Sequence, residues 1–536
     1  MKRQLTNTYG SMLALAALAF LAAPGPAAAK TLTVLNNLDR GAGSLRDAIK
    51  HADGGDTIIF DSSLNGQTIT LTSGALGIGK SLDIEGPGAR LLAISGNSQS
   101  RVFDISQDLD KPTVAVTIGG LTIADGLSSS GTGGGIYNRG GTLTLINLRL
   151  SNNTANGASD ADHAARGGAV AILEGGILIV SGCEFNGNQA LATGTGNGFG
   201  GAIYLLGFSK PVTAAIANTS FSFNLVQGGD GGNAHSGLLF AGLAVGGAIN
   251  SDVGVTLSID GCTFRGNKAQ GGSNIAGKSA VVGGACGGAL LGVGETITVI
   301  NSQFTENVAV GGKGNIGVYE VGNAIGGGLS TGSAFGRYQD LTVSGCTFMN
   351  NLALGGSGDL GGGRTGSGFG GGLSDAPGAF FIASPVDDIG GMPLTISNSS
   401  FIGNQALGSD GGTGQSGGDG LGGGIFNNAG SDSPVTLNNC ALSDNQATGG
   451  AGGDGANGGN GLGGGLYNDG TSTLAVTGST VTDNQAIGGQ GSPAGDAFGG
   501  GFYTGLAAIL SLDSYTLLHT EDNEPDNISG PYRLLP

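Results

Sequence analysis

The residues of this chain most able to do chemistry are carboxylates, and they gather in one place. Arg337, Tyr338 and Asp340 in one repeat are followed by Asp375, Asp387 and Asp388 in the next. General acid–base work on a glycosidic bond takes two positioned carboxyl groups about 5–9.5 Å apart, one of them with a raised pKa. The cluster reads as a shallow acidic groove or, more simply, as a solvated insertion. A second candidate is the stretch 449–457, Gly-Gly-Ala-Gly-Gly-Asp-Gly-Ala-Asn, where Asp454, Asn457 and backbone carbonyls would offer oxygen ligands to calcium. Successive nonapeptides are missing, so solvated or mutually packed Gly-rich loops are the simpler reading. His51, His163, His235 and His519 fall in unrelated places, and no nucleophile triad assembles from them. Cys183, Cys262, Cys346 and Cys440 recur in alternate repeats, with Thr219, Ser302, Ser399 and Ser479 in the copies between. Two coils of a stacked structure separate such cysteines by about 9.6 Å, beyond the roughly 7 Å limit for a disulfide. Cys286 is a leftover thiol, and no metal is expected at thiols spread this widely.

The elements that must position these groups are unusual in composition. Of 536 residues 114 are Gly, yet only 13 are Pro and there is no G-X-Y period, which excludes collagen. Hydrophobic residues make up 39%, enough for a packed core, although only 11% are charged. Acidic residues outnumber basic ones 39 to 21, giving −18, which argues against a nucleic-acid partner. Lys2 and Arg3, the apolar run 12–23 and Ala27-Ala28-Ala29 read as an export signal with a cleavage site before Lys30. The apolar run is shorter than the roughly 20 residues of a membrane span, so no transmembrane segment is expected after its removal. The end of the sequence, Pro531-Tyr532-Arg533-Leu534-Leu535-Pro536, reads as neither an anchor nor a barrel strand.

Two motifs recur together. Gly pairs or triplets precede small and apolar residues, as in Gly167-Gly168-Ala169-Val170, Gly200-Gly201-Ala202-Ile203 and Gly246-Gly247-Ala248-Ile249. An apolar residue, mostly Phe, stands three positions before an Asn in nine copies: Asn153, Asn188, Asn224, Asn267, Asn307, Asn351, Asn404, Asn445 and Asn484. Thr, Ile, Val and Leu dominate the ordered stretches and helical periodicity is absent, so each copy reads as two short strands. Strand pairs without long helices between them stack as coils of a parallel β-solenoid, with equivalent residues about 4.8 Å apart. The Phe forms an interior column. The Asn, tolerant of the left-handed conformation, sits at the turn and bonds to its counterpart in the next coil. Irregular spacing between copies is absorbed by long Gly-rich loops on one side. Ser44 is placed to N-cap a short helix carrying Leu45, Ala48, Ile49 and Ala52 on one face, suited to covering the open end of the first coil.

These repeats, over 133–504, resemble those of the polymorphic outer membrane protein family of adhesins. Upstream, Gly41-Ala42-Gly43-Ser44-Leu45-Arg46-Asp47-Ala48-Ile49 with Gly55-Asp56-Thr57-Ile58-Ile59-Phe60 is similar to the CSLREA region of secreted bacterial β-helix proteins of the pectin-lyase-like superfamily. Gly43 replaces that family's cysteine. The resemblance implies an all-β, right-handed parallel β-helix with an N-terminal capping helix. The expected organisation is a signal peptide at 1–29, a cap and first coils at 30–125, the repeat helix at 126–510 and a closing coil and tail at 511–536. Residues and resemblance together leave three functional readings. The favoured one is an exported non-catalytic protein in cell-surface adhesion or extracellular structure, with a polysaccharide or cell-surface ligand as partner. The others are a polysaccharide-active lyase or hydrolase and a calcium-dependent matrix protein. Against the enzyme stand the missing Gly-His-Gly, Arg-Ile-Lys and Arg-x-Pro-x-x-Arg patterns of that superfamily and the absence of Trp.

Overall fold

Alternation along short β-branched and aliphatic stretches builds the coils. In Thr142–Ile146 the side chains of Leu143 and Leu145 are buried while Thr142, Thr144 and Ile146 face outward. From there the chain turns into Arg149–Ser151, turns again into Thr154–Asn156, and crosses a loop to Ala165–Arg166 and Val170–Leu173. It then returns at Ile177–Ser181 beside its starting strand. Each of the five positions stacks into its own parallel sheet, here A to E in coil order, of 15, 13, 10, 9 and 13 strands among the described residues. The chain is a right-handed parallel β-helix. The computed structural model describes residues 29–106, 113–159, 162–234, 240–277, 279, 281–317, 320–331, 340–359, 365–375, 393–431 and 433–536.

One continuous core fills the tube. Phe185, Phe221, Phe264, Phe304, Phe348 and Phe401 are fully buried, and successive rings stack at centroid distances of 4.6 to 4.8 Å. Burial of each ring contributes roughly 1.5–3 kcal/mol, and the stacked geometry adds to it. Helix α1, Leu45–His51, caps the N-terminal end: Ser44 accepts from the Asp47 amide, and Leu45, Ala48 and Ile49 join the core beside Val34. Near the other end Ile509–Leu512 adds to sheet A, followed by helix α2, Ser514–Leu518, and short strands at Thr520–Glu521, Ile528–Ser529 and Arg533–Leu534.

Two expectations need correction. A coil has five strands, not two, because segments of two or three residues such as Gly198–Phe199 and Gln189–Leu191 pair in register without any visible alternation. The left-handed residue of the Asn corner is also not the ladder Asn. It is the residue before it, as at Asn152 (φ 54°), Phe223 (φ 55°), Glu306 (φ 56°) and Asp444 (φ 58°). That bend turns the following Asn inward, where its amide is buried.

Candidate functional site

The Asn column is the most complete polar constellation among the described residues. The Asn307 Oδ1 accepts from the Asn267 amide (3.1 Å) and from Asn267 Nδ2 (2.9 Å); its own Nδ2 donates to Asn351 Oδ1 and to the Phe264 carbonyl, both at 3.0 Å. The pattern runs unbroken from Asn153 to Asn484. It continues through Asn523 to Asn527, two members the repeat motif does not reveal because Thr520 stands where the others carry Phe, Leu or Val. Each amide is satisfied by its neighbours, so the column is structural. The cysteine position forms a second column: Ser302 Oγ accepts from the Cys262 amide, and Ser399 Oγ from that of Cys346. All five thiols are free and buried, and burial pushes those of Cys183, Cys262 and Cys346 up to about 11.

The acidic turn resolves into different environments. Asp340 is exposed at the start of a sheet A strand, Asp340–Ser344. Asp375 ends Leu373–Asp375 in sheet E, where its side chain lies in an interior column between Thr331 and Asn427. Thr331 Oγ1 donates to Asp375 Oδ1 at 2.8 Å, while the buried Oδ2 has no partner among the described residues. Burial pushes this carboxyl up to about 7, with the Thr331 bond opposing. A group sealed in the core reaches no polymer outside, and no hydrogen bond joins it to Asp340. Arg337, Asp387 and Asp388 lie outside the described residues.

The Gly-rich loops are ordered layers rather than solvated strings. Between sheets C and D they form a second lobe with its own core of Ala234, Ala241, Ile275, Val282 and Val321. Backbone bonds tie layer to layer, as from Gly312 to Gly283 and from Gly356 to Gly322, both 2.7 Å. Glycine is required by proximity: a Cβ on Gly450 would collide with the Ser409 carbonyl. Side chains at the ends of the loops, among them Val245, Cys286, Ile325, Phe369 and Leu421, pack with Leu291, Phe426 and Tyr467 of sheet E and so cover that sheet's outer face. Asp454 and Asn457 are exposed near a loop tip, and among the described residues no cluster of three or more His, Cys, Asp or Glu could hold a metal ion.

A buried acid in this lobe went unread in the sequence. Asn315 Oδ1 accepts from the Ile275 amide at 2.9 Å and its Nδ2 donates to the Gly272 carbonyl at 3.0 Å. Asp359 takes the same place one coil later, accepting from the Asn315 amide at 2.6 Å, and its second oxygen is buried without a partner among the described residues. Burial pushes its carboxyl up to about 7, against the lowering effect of the Asn315 bonds. The signal was available: Asn315 and Asp359 each follow a ladder Asn by eight positions.

Sheets A and B keep open outer faces. On A one column carries Ser258, Thr298, Thr342, Thr395 and Thr436 in five successive coils. Fold and surface together define a right-handed parallel β-helix protein. No family model matches the chain, and no curated protein matches it. Among solved structures it is similar to the catalytic unit of a GH87 α-1,3-glucanase from Streptomyces thermodiastaticus strain HF3-3, at 13% identity and a TM-score of 0.36, covering 86% of this chain and 70% of that one. It is also similar to PfbA, a surface adhesin of Streptococcus pneumoniae, at 11% identity and 0.34, covering 87% of each chain. A mannuronic acid specific family 6 lyase from human gut microbiota follows at 10% and 0.30, covering 95% and 91%. The functional reading rests on this chain's own residues.

Proposed function

We propose that this is an exported, non-catalytic β-helix repeat protein that serves adhesion at the cell surface or extracellular structure. One observation carries the reading. The recurring polar residues are bonded to their counterparts in adjacent coils, so the repeat builds a rod and leaves a column of hydroxyl groups on the open face of sheet A. A row of equivalent weak contacts along a rigid rod suits multivalent attachment to an extended ligand, because linked contacts raise avidity without any single deep pocket. The basic start, apolar run and Ala-x-Ala site support export. Among the described residues no helix is long and apolar enough to cross a membrane.

The test is an array of glycans and extracellular host proteins probed with the chain from Lys30 onward. Saturable retention on one ligand class, competed by the same ligand in solution, is the expected result. Retention on none of them, together with unchanged attachment of cells lacking the protein, would overturn the reading.

A further inference from the structure

A groove of about 540 Å³ lies on the outer face of sheet B near the N-terminal end. Its floor is a single column of the sheet: Thr68, Ala93, Thr122, Arg149 and Glu184 are register partners in five successive coils. Four steps of about 4.8 Å make it roughly 19 Å long, parallel to the axis of the rod. The turn at Ala89, Arg90 and Leu91 forms one wall. That wall is fixed before any ligand arrives: Gly86 and Gly88 donate to the carbonyls of Gly119 (2.8 Å) and Gly120 (2.9 Å), Gly66 donates to Leu91 (2.5 Å), and the Thr122 hydroxyl bonds to the Ala89 carbonyl.

Both cations of this groove reach its surface. Arg90 is exposed and makes no ion pair among the described residues. Arg149 is ion-paired to Glu184, with 3.6 Å from its buried Nε to Glu184 Oε1, and 43% of its side chain stays exposed to the groove. Two guanidinium groups against one carboxylate make the lining cationic in a chain of net charge −18. Guanidinium forks bind carboxylate and sulfate through paired N–H donors. Around them stand Gln67 and Thr68, which suit hydroxyl groups, and Leu91, 44% exposed, which offers an apolar rim.

We propose that this groove binds a linear oligosaccharide carrying carboxylate or sulfate groups, held by Arg90 and Arg149. The inference goes beyond the adhesive or structural role and stands on the groove alone. Its elongated floor and hydroxyl-pairing lining favour a saccharide over an acidic peptide. Calorimetric titration of the full mature chain with a hyaluronan hexasaccharide, which bears carboxylates only, a heparin hexasaccharide, which adds sulfates, neutral maltohexaose and a glutamate hexapeptide tests it. At least one of the two anionic saccharides should bind, more weakly as salt is raised, and the one that binds identifies the anion. Arg90→Ala and Arg149→Ala should each weaken that binding about tenfold or more, and Glu184→Gln, which removes the competing carboxylate, should strengthen it. Arg90 is exposed, so Arg90→Ala keeps the test valid should the Arg149 variant fold poorly. Equal binding of maltohexaose, binding of the peptide alone, no binding of either anionic saccharide, or binding unchanged in Arg90→Ala would each overturn the proposal.

Discussion

Asp359→Asn gives the sharpest test of how the loop lobe is held. Where Asn315 uses Nδ2 to donate to Gly272, Asp359 presents an oxygen at the equivalent point facing the Gly312 carbonyl. Only the protonated acid can donate there. Its carboxyl is raised from 3.8 to about 7, chiefly by burial, and each pKa unit is worth about 1.4 kcal/mol, so about 4 kcal/mol is at stake. The sign follows from proton counting. Between about pH 4 and 7 the folded state keeps a proton the unfolded state has released, so stability is full below the unfolded pKa and falls as pH rises through the folded one. Asn is always a donor and never ionises. The variant should match the wild type near pH 3.5 and exceed it at pH 8, by up to about 4 kcal/mol where unfolding is cooperative. Asn315→Asp should do the reverse. Urea unfolding at a series of pH values, with hydrogen exchange at Gly312 and Gly356 to localise the effect, reads both. An Asp359→Asn protein no more stable than the wild type at pH 8, or one with an undiminished loss of stability between pH 5 and 8, would refute the argument.

Phe304→Ala should cost about 3–5 kcal/mol in urea unfolding, because the ring is sealed between Phe264 and Phe348 and its removal leaves a cavity. Asn307→Ala should cost about 3 kcal/mol or more by the same measurement, since it strands the Asn267 amide, the Phe264 carbonyl and both flanking side-chain amides. In a thermal melt Gly450→Ala should lower Tm by several degrees, as its new methyl meets the Ser409 carbonyl, whereas Gly54→Ala, with open space around it, should leave Tm unchanged.

The repeat was legible wherever one residue type had to recur at one place. Phe and Asn at fixed spacing announce the stacked core and the ladder, and Ser44 before Leu45 announces the capping helix, because burial and capping each restrict the residue types allowed. The small strands of sheets C and D were not legible, since two or three residues carry no period. Nor was the corner geometry: Phe223 and Glu306 adopt a left-handed backbone that neither residue type suggests, imposed by the coils on either side. The loops left two readings open, solvated or packed on one another. Glycine marks flexible and tightly layered backbone alike, and only the stacking of neighbouring loops tells them apart. Asp375 reads as a surface acid in an insertion, yet its register beside Thr331 and Asn427 puts it in the core.

The proposed role requires this β-helix to retain polymer without cutting it. The direct measurement is release of reducing ends and of unsaturated sugar products from a panel of neutral and acidic polysaccharides, including every polymer the array shows to be retained, incubated with the purified mature chain with and without calcium. The expected result is retention of polymer with no product above a heat-denatured control. Release of defined fragments by the wild type, abolished by Asp387→Asn with Asp388→Asn while folding stays intact, would contradict it and make the acidic turn an active site.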